Sequence, residues 1–235
     1  MIRHLPPSRY RFPDPRDAEG DLVAVGGDLA PSTILGAYRQ GLFPMPTDHQ
    51  LGWWSPLDRA IIEFSDLRIS RSLSRSCRRF TVVENQSFED VISECAHVRR
   101  PGGWITPAFI DAYTDLHNLG WAHSIEVHDR DGELVGGLYG VQIGGFFAGE
   151  SMYHRVSDAS KVALVHLVGR LAESGGHLLD VQWQTDHLRV MGASVIGRDA
   201  YLDRLAEALQ GGPVFGETSL GPVPSAPVIP EKGEN

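Results

Sequence analysis

His123-Ser124-Ile125-Glu126-Val127-His128, the turn pair Asp131-Gly132, Glu133-Leu134-Val135-Gly136-Gly137-Leu138-Tyr139-Gly140-Val141 and, after Gly144-Gly145, Phe146-Phe147-Ala148-Gly149-Glu150-Ser151-Met152 carry the clearest pattern in this chain. The first segment alternates, with Ser124, Glu126 and His128 on one face and Ile125 and Val127 on the other, which predicts a strand. The next two are long enough for a pair of strands meeting at the double glycine, a hairpin turn. From about Ser157 to Glu173 the period changes. Val162, Leu164, Val165, Val168 and Leu171 recur at helical spacing, and Gly175-Gly176 ends the helix. His177 to Gln184 then predicts a buried strand, and Asp199 to Gln210 a final helix with Leu202, Leu205 and Leu209 inside. Antiparallel strands followed by strand–helix–strand units make an α+β fold with a mixed sheet.

Upstream, Ser87 with Asp90 resembles a capping box ahead of Val91, Ile92, Cys95 and Val98. Thr106, Pro107 and Gly120 bracket a second helix with Phe109, Ile110, Tyr113 and Leu116 as its buried stripe. From Phe12 to Arg59 turn formers dominate, and one short helix sits between Pro31 and Gly41, its apolar stripe made by Ile34, Leu35 and Tyr38. The expected organisation is a small loop-rich N-terminal domain over 1–66, a larger domain over 67–210, and a disordered Pro- and Gly-rich tail over 211–235.

Composition narrows the class. A hydrophobic fraction of 42% and a charged fraction of 22% are those of a soluble globular protein. No apolar run approaches the ~20 residues that span a bilayer, and the first ten residues lack the apolar core of a signal peptide, so a cytoplasmic location away from membranes is expected. Cys77 and Cys95 have no metal-ligand or redox spacing, so neither disulfide nor structural zinc is expected. A net charge of −9 argues against an indiscriminate nucleic-acid binder, although it averages over any local basic face.

Such a face exists. Between Leu67 and Val83 there is no acidic residue, while Arg68, Arg71, Arg75, Arg78 and Arg79 accumulate. At 100° per residue Arg71, Arg75 and Arg78 share one side, and Leu73, Cys77 and Phe80 the other, so the stripe reads as a phosphate grip or as a solvated helix face. Glu150 within an apolar strand either holds an amino group of a substrate or faces outward. Asp180 and Gln182 alternate onto one strand face, where a carboxylate and an amide can position an amine and accept its proton, or cap a turn. Trp54 and Trp104 lie in aromatic loops, either stacking on a base and walling an apolar pocket or simply filling core. No Walker or dinucleotide fingerprint occurs, and the segment after the central strands, Arg155-Val156-Ser157-Asp158-Ala159-Ser160-Lys161, has no glycine-rich pyrophosphate loop.

The ordered motifs resemble those of the leucyl/phenylalanyl-tRNA–protein transferase family from Phe12 to about Leu209. They include Ala24-Val25-Gly26-Gly27-Asp28-Leu29, Gly41-Leu42-Phe43-Pro44, Trp53-Trp54-Ser55-Pro56, Ile69-Ser70-Arg71-Ser72, Gly149 to Tyr153, Asp158 to Lys161, and Asp180 with Gln182. The resemblance implies a small N-terminal domain beside an acetyltransferase-like domain with a mixed, mostly antiparallel sheet. It implies transfer of Leu, Phe or Met from aminoacyl-tRNA to proteins beginning with Lys or Arg, without cofactor or metal, by a cytoplasmic monomer. It puts the tRNA-binding cluster on Arg71, Arg75, Arg78 and Arg79, the catalytic or amine-positioning pair on Asp180 and Gln182, and a substrate-binding glutamate on Glu150. Trp54, Trp104, Leu138, Met152 and Leu167 fall at the aminoacyl pocket and its adenosine neighbour, Leu167 where the family pattern is aromatic. An acyl-CoA-dependent N-acetyltransferase of the same fold and a non-catalytic RNA- or degron-binding adaptor are the rival readings.

Overall fold

A computed structural model describes residues 5–98 and 103–215. Two sheets organise it. In the small one, β1 (Leu22–Val25), β3 (Leu51–Trp54) and β2 (Phe43–Pro46) pair antiparallel in that order, with α1 (Pro31–Tyr38) between β1 and β2 in sequence. The large sheet begins in sequence with β4 (Asp58–Ile62), followed by α2 (Arg71–Cys77), β5 (Thr81–Glu84), α3 (Phe88–His97) and α4 (Pro107–Asn118). The meander β6 (Ala122–His128), β7 (Leu134–Ile143) and β8 (Phe146–His154) comes next, then α5 (Ala159–Glu173) and β9 (Leu178–Gln182). It ends with α6 (Asp186–Met191), β10 (Ser194–Gly197) and α7 (Arg198–Ala208). Its seven strands run in the order β10-β4-β9-β8-β7-β6-β5.

The α+β fold with a mixed, mostly antiparallel sheet is therefore present: of the neighbouring pairs in the large sheet, β8 and β9 alone are parallel. Both faces are covered. One core collects Tyr38, Phe88, Tyr113 and Tyr139 beneath α1, α3 and α4, and the other collects Leu73, Leu164, Leu167 and Phe147 beneath α2 and α5. Because both faces are buried, Ser124 and Glu126 are as inaccessible as Ile125 and Val127. Alternation in β6 thus separates two interiors rather than core from solvent.

Several expectations change. Asp58–Ile62 falls before the boundary expected at residue 66, yet it is hydrogen-bonded between β9 and β10 inside the large sheet. Ser87 makes no side-chain cap at α3; its N–H instead meets the carboxylate of Glu126 at 3.4 Å, so a neighbouring strand serves the helix end. Thr106 likewise precedes α4 without a side-chain cap, and Pro107 opens the helix. The tail expected to be disordered from residue 211 is packed through residue 215, and residues 216–235 lie outside the described residues. Phe215 is 3% exposed, stacks on His123 at a centroid distance of 4.5 Å, and donates its N–H to Gln142 Oε1 at 3.0 Å.

Arg198 locks the N-terminal segment to this body. Its guanidinium donates to the Pro15 and Ala18 carbonyls at 2.7 Å each and to the Ser55 carbonyl at 3.0 Å. Among the described residues no helix is long and apolar enough to cross a membrane.

Phe215 carries a testable consequence. Truncating a fully buried aromatic removes its transfer energy and leaves a cavity, so Phe215→Ala is expected to lower stability by about 3 kcal/mol. A urea midpoint unchanged from wild type would show that the 211–215 segment is not part of the folded core.

Candidate active site

The parallel register of β8 and β9 runs from Phe146↔Leu178 to Ala148↔Asp180 and then stops, although β8 continues to His154. A cleft of about 670 Å³ opens beyond that last pair, lined on the β8 side by residues 149–154 and on the other by Leu179, Val181, Gln182 and Trp183. Where a ladder stops inside a sheet, the freed backbone groups need other partners or solvent, and the cleft gives solvent access. The β7–β8 register also slips at this point. Tyr139 faces Ser151 and Gly140 faces Gly149, so Glu150 is the extra residue of a β-bulge, a feature that re-aims a side chain.

Glu150 projects between two phenols. Tyr38 from α1 donates to Oε1 at 2.6 Å and Tyr113 from α4 to Oε2 at 3.0 Å, while the two hydroxyls lie 2.6 Å apart. The Gln182 amide Nε2 is 3.4 Å from Oε1. Burial pushes the Glu150 carboxyl up to about 7; the two phenols oppose this, and the negative charge of Asp180 adds to it. Burial and the neighbouring carboxylate hold both phenols well above their ordinary value.

Asp180 is placed quite differently. It is 0% exposed, and both oxygens are occupied: Oδ1 accepts from Arg59 Nε at 2.8 Å and from the Gln182 backbone N–H at 2.9 Å. Oδ2 accepts from Arg59 Nη2 at 2.6 Å and from the Tyr201 hydroxyl at 2.9 Å. The Arg59 guanidinium lies 4.9 Å from the Phe43 ring centroid and 4.3 Å from that of Tyr201, and donates from Nη1 to the Gly41 carbonyl at 3.1 Å. Gln182 takes a left-handed backbone conformation at φ 56°, which breaks strand alternation. Asp180 and Gln182 therefore do not share a face of solvent or ligand. The carboxylate is turned into the interior and holds the backbone from which the amide reaches the cleft.

The remaining cleft is apolar on the side of α5, with Leu138, Met152, Leu164 and Leu167, and aromatic opposite, with Phe43, Trp104 and Trp183. The helix α2 packs against α5, and Ser76 Oγ donates to Asp158 Oδ2 at 3.0 Å at the start of α5.

The family model for leucyl/phenylalanyl-tRNA protein transferase matches residues 61–206, and that for its N-terminal domain matches residues 27–57. The chain belongs to this family. Three proteins named leucyl/phenylalanyl-tRNA–protein transferase illustrate the likeness. That of Maridesulfovibrio salexigens is 46% identical over 85% of this chain and 86% of its own. That of Syntrophobacter fumaroxidans is 50% identical over 83% and 86% respectively. That of Aromatoleum aromaticum is 47% identical over 92% and 91%. Among solved structures, that of L-PGS from Bacillus licheniformis aligns with 63% of this chain at 15% identity and a TM-score of 0.39.

Of the residues singled out by sequence, Glu150, Gln182, Trp104, Leu138, Met152 and Leu167 meet around this transferase-family cleft. Trp54 does not line it. Its indole donates to the Met45 carbonyl at 3.0 Å, and its ring stands edge-on to Trp183 at 6.0 Å, so Trp183 presents the cleft surface instead. Arg71, Arg75, Arg78 and Arg79 are exposed on and just after α2, and among the described residues none of them forms an ion pair. Leu73 is buried behind them as the helical spacing predicts. Sequence reasoning missed Arg59, Tyr201 and Trp183, and placed Tyr38 and Tyr113 in apolar stripes without assigning their hydroxyls.

The raised Glu150 carboxyl links folding to pH. Its folded-state value lies above the ordinary 4.5, so its contribution to stability is full below pH 4.5 and is lost as the pH rises through about 7. Relative to wild type, Glu150→Gln is expected to lose less stability between about pH 5 and about pH 8. Parallel pH dependences of the two urea midpoints would mean that Glu150 titrates as an ordinary carboxylate.

Proposed function

We propose that this protein transfers Leu, Phe or Met from aminoacyl-tRNA to the N-terminal Lys or Arg of acceptor proteins, as a cytoplasmic monomer. Supporting this reading is one arrangement above all: an apolar cleft lined by Glu150 and Gln182, with α2 packed against α5 and carrying exposed arginines that form no ion pair among the described residues. Membership of the transferase family gives that arrangement its reaction.

An aminoacyl ester is already activated, so its aminolysis needs positioning more than chemical assistance. In this step the acceptor's α-amine nitrogen bonds to the ester carbonyl carbon and the bond to the ribose oxygen breaks. One proton passes in net from the amine to that oxygen. Holding the two reactants together is worth several kcal/mol, on the order of 7 or more. Glu150 and the Gln182 amide are the polar groups at the floor, and Glu150, poised near neutrality, is suited to receive an amine hydrogen bond and to exchange its proton. Asp180 acts as a positioning residue: sealed beneath the cleft with four donors, it reaches neither amine nor ester and sets the backbone of Gln182. Met152, Leu138 and Leu167 form an apolar wall suited to an uncharged side chain. Such a wall separates side chains differing by one methylene by only ~1–3 kcal/mol, in keeping with acceptance of Leu, Met and Phe alike.

The deciding experiment incubates the protein with labelled Phe-tRNA or Leu-tRNA and a peptide beginning with Arg. Label is expected on the peptide without ATP, metal or coenzyme A; equal labelling of peptides beginning with Asp or Ala would refute the acceptor assignment. Reversing charge at Arg75 and Arg78 together is expected to raise the KM for charged tRNA roughly tenfold or more at low salt, with little change in kcat. A double variant with wild-type KM would make α2 a solvated face and nothing else.

A further inference from the structure

The cleft has a second polar end, away from Glu150, that the transfer chemistry leaves without a task. His154, the last residue of β8, is exposed and lines the cleft, and its Nδ1 lies 3.3 Å from Ser160 Oγ. Ser160 lines the cleft too and is 2% exposed, in the first turn of α5, where leading N–H groups lack intrahelical acceptors. With Nδ1 engaged by the serine, the imidazole Nε2 is left to meet a ligand. Leu164 and Leu167 continue along α5 from Ser160, so this end opens directly into the apolar wall.

The neighbouring charges are already committed. Arg155 forms a two-pronged pair with Glu94, Nε to Oε2 at 3.0 Å and Nη2 to Oε1 at 2.5 Å. Lys161 pairs with Asp158 Oδ1 at 3.0 Å, and the other oxygen of Asp158 accepts from Ser76. The segment therefore offers one ring nitrogen, held by one hydroxyl, which suits a single phosphate and is too little for a pyrophosphate. Ser76 lies on the buried side of α2, and its bond to Asp158 sets that helix against the start of α5 with Arg71, Arg75 and Arg78 on the solvent side.

We propose that the His154–Ser160 rim seats a phosphate, the phosphodiester that joins the terminal adenosine of aminoacyl-tRNA to the nucleotide before it. His154 donates from Nε2 to a phosphate oxygen, and Ser160 fixes the ring by donating its hydroxyl to Nδ1. The ester is thereby registered against Glu150 and Gln182 from the far end of the same nucleotide. This inference rests on the transferase reading above and adds to it a residue that fixes the donor's register.

The test uses the full chain, an Arg-starting peptide and two small donors: phenylalanine esterified to adenosine, and phenylalanine esterified to adenosine 5′-phosphate. One charge-assisted hydrogen bond is worth enough that the wild-type KM is expected to be about tenfold lower for the phosphorylated donor, with kcat alike for both. In His154→Ala that KM ratio is expected to fall close to unity, and His154→Lys is expected to restore part of it. A wild-type ratio near unity, or a ratio that survives in His154→Ala, overturns the assignment. Whole Phe-tRNA run in parallel separates the two levels of failure. No transfer from it by the wild-type protein removes the transferase reading itself, whereas transfer from it with a flat donor ratio removes only the phosphate seat.

Discussion

The ion pair of Arg59 with Asp180 is the constraint around which the rest is arranged. Both side chains are wholly inaccessible, and the guanidinium is bounded by a ring from the small sheet, a ring from α7 and the Gly41 carbonyl. Four parts of the chain are thus keyed to one planar cation: β2 through Phe43, the α1–β2 turn through Gly41, β9 through Asp180 and α7 through Tyr201. Burying two charges costs several kcal/mol per ion before their attraction is counted, so such a pair is weak evidence of net stability. What it supplies is orientation. Burial alone would lower the affinity of Arg59 for its proton, yet Asp180 outweighs this and holds the guanidinium firmly charged. With its oxygens filled by Arg59 and Tyr201, Asp180 also captures the Gln182 N–H and helps fix the left-handed turn that directs the amide at Glu150.

The two carboxylates of the site lie in different surroundings. Asp180 accepts from four donors, two of them on the Arg59 cation. Glu150 has phenols and an amide around it and, among the described residues, forms no ion pair, so burial dominates and its proton is held up to about 7. The negative charge of Asp180 adds to that upward shift, and Arg59 only partly offsets it. The different surroundings follow from the fold: Asp180 ends the stretch of β9 that pairs with β8, and Glu150 bulges out of β8 where the parallel ladder has stopped.

Much of this frame is legible in the sequence because it is local. Period-two text and the Gly144-Gly145 turn yield the β6–β7–β8 meander, and the stripe from Val162 to Leu171 yields α5. The small sheet was hidden, since Phe43–Pro46 carries two prolines and Leu51–Trp54 is short and contains glycine, so both read as turn text. The strand β10 is four residues long and half exposed, and offers no periodicity to find. Phe215 lies in a Pro- and Gly-rich stretch whose composition says nothing of its contact with His123, far away in the sequence.

The site was legible only where its residues break a pattern visibly. Glu150 stands out as a charge inside an apolar strand, and the arginines of α2 stand out by the lack of any acid among them. Arg59 breaks its strand in the same way, between Asp58 and Ala60-Ile61-Ile62, but its partner is 121 residues distant and no spacing rule joins them. Tyr38 and Tyr113 are the opposite case. Each fits an apolar stripe without a flaw, and only the buried hydroxyl betrays it, because a phenol placed fully in a core must find a partner. Two phenols and one carboxylate, each unsatisfied on its own stripe and none near the others in sequence, satisfy one another in the fold. Buried polar atoms left over from otherwise regular stripes are thus a physical signal of a site even when their pairing is not, and here three of them converge on the floor of the cleft.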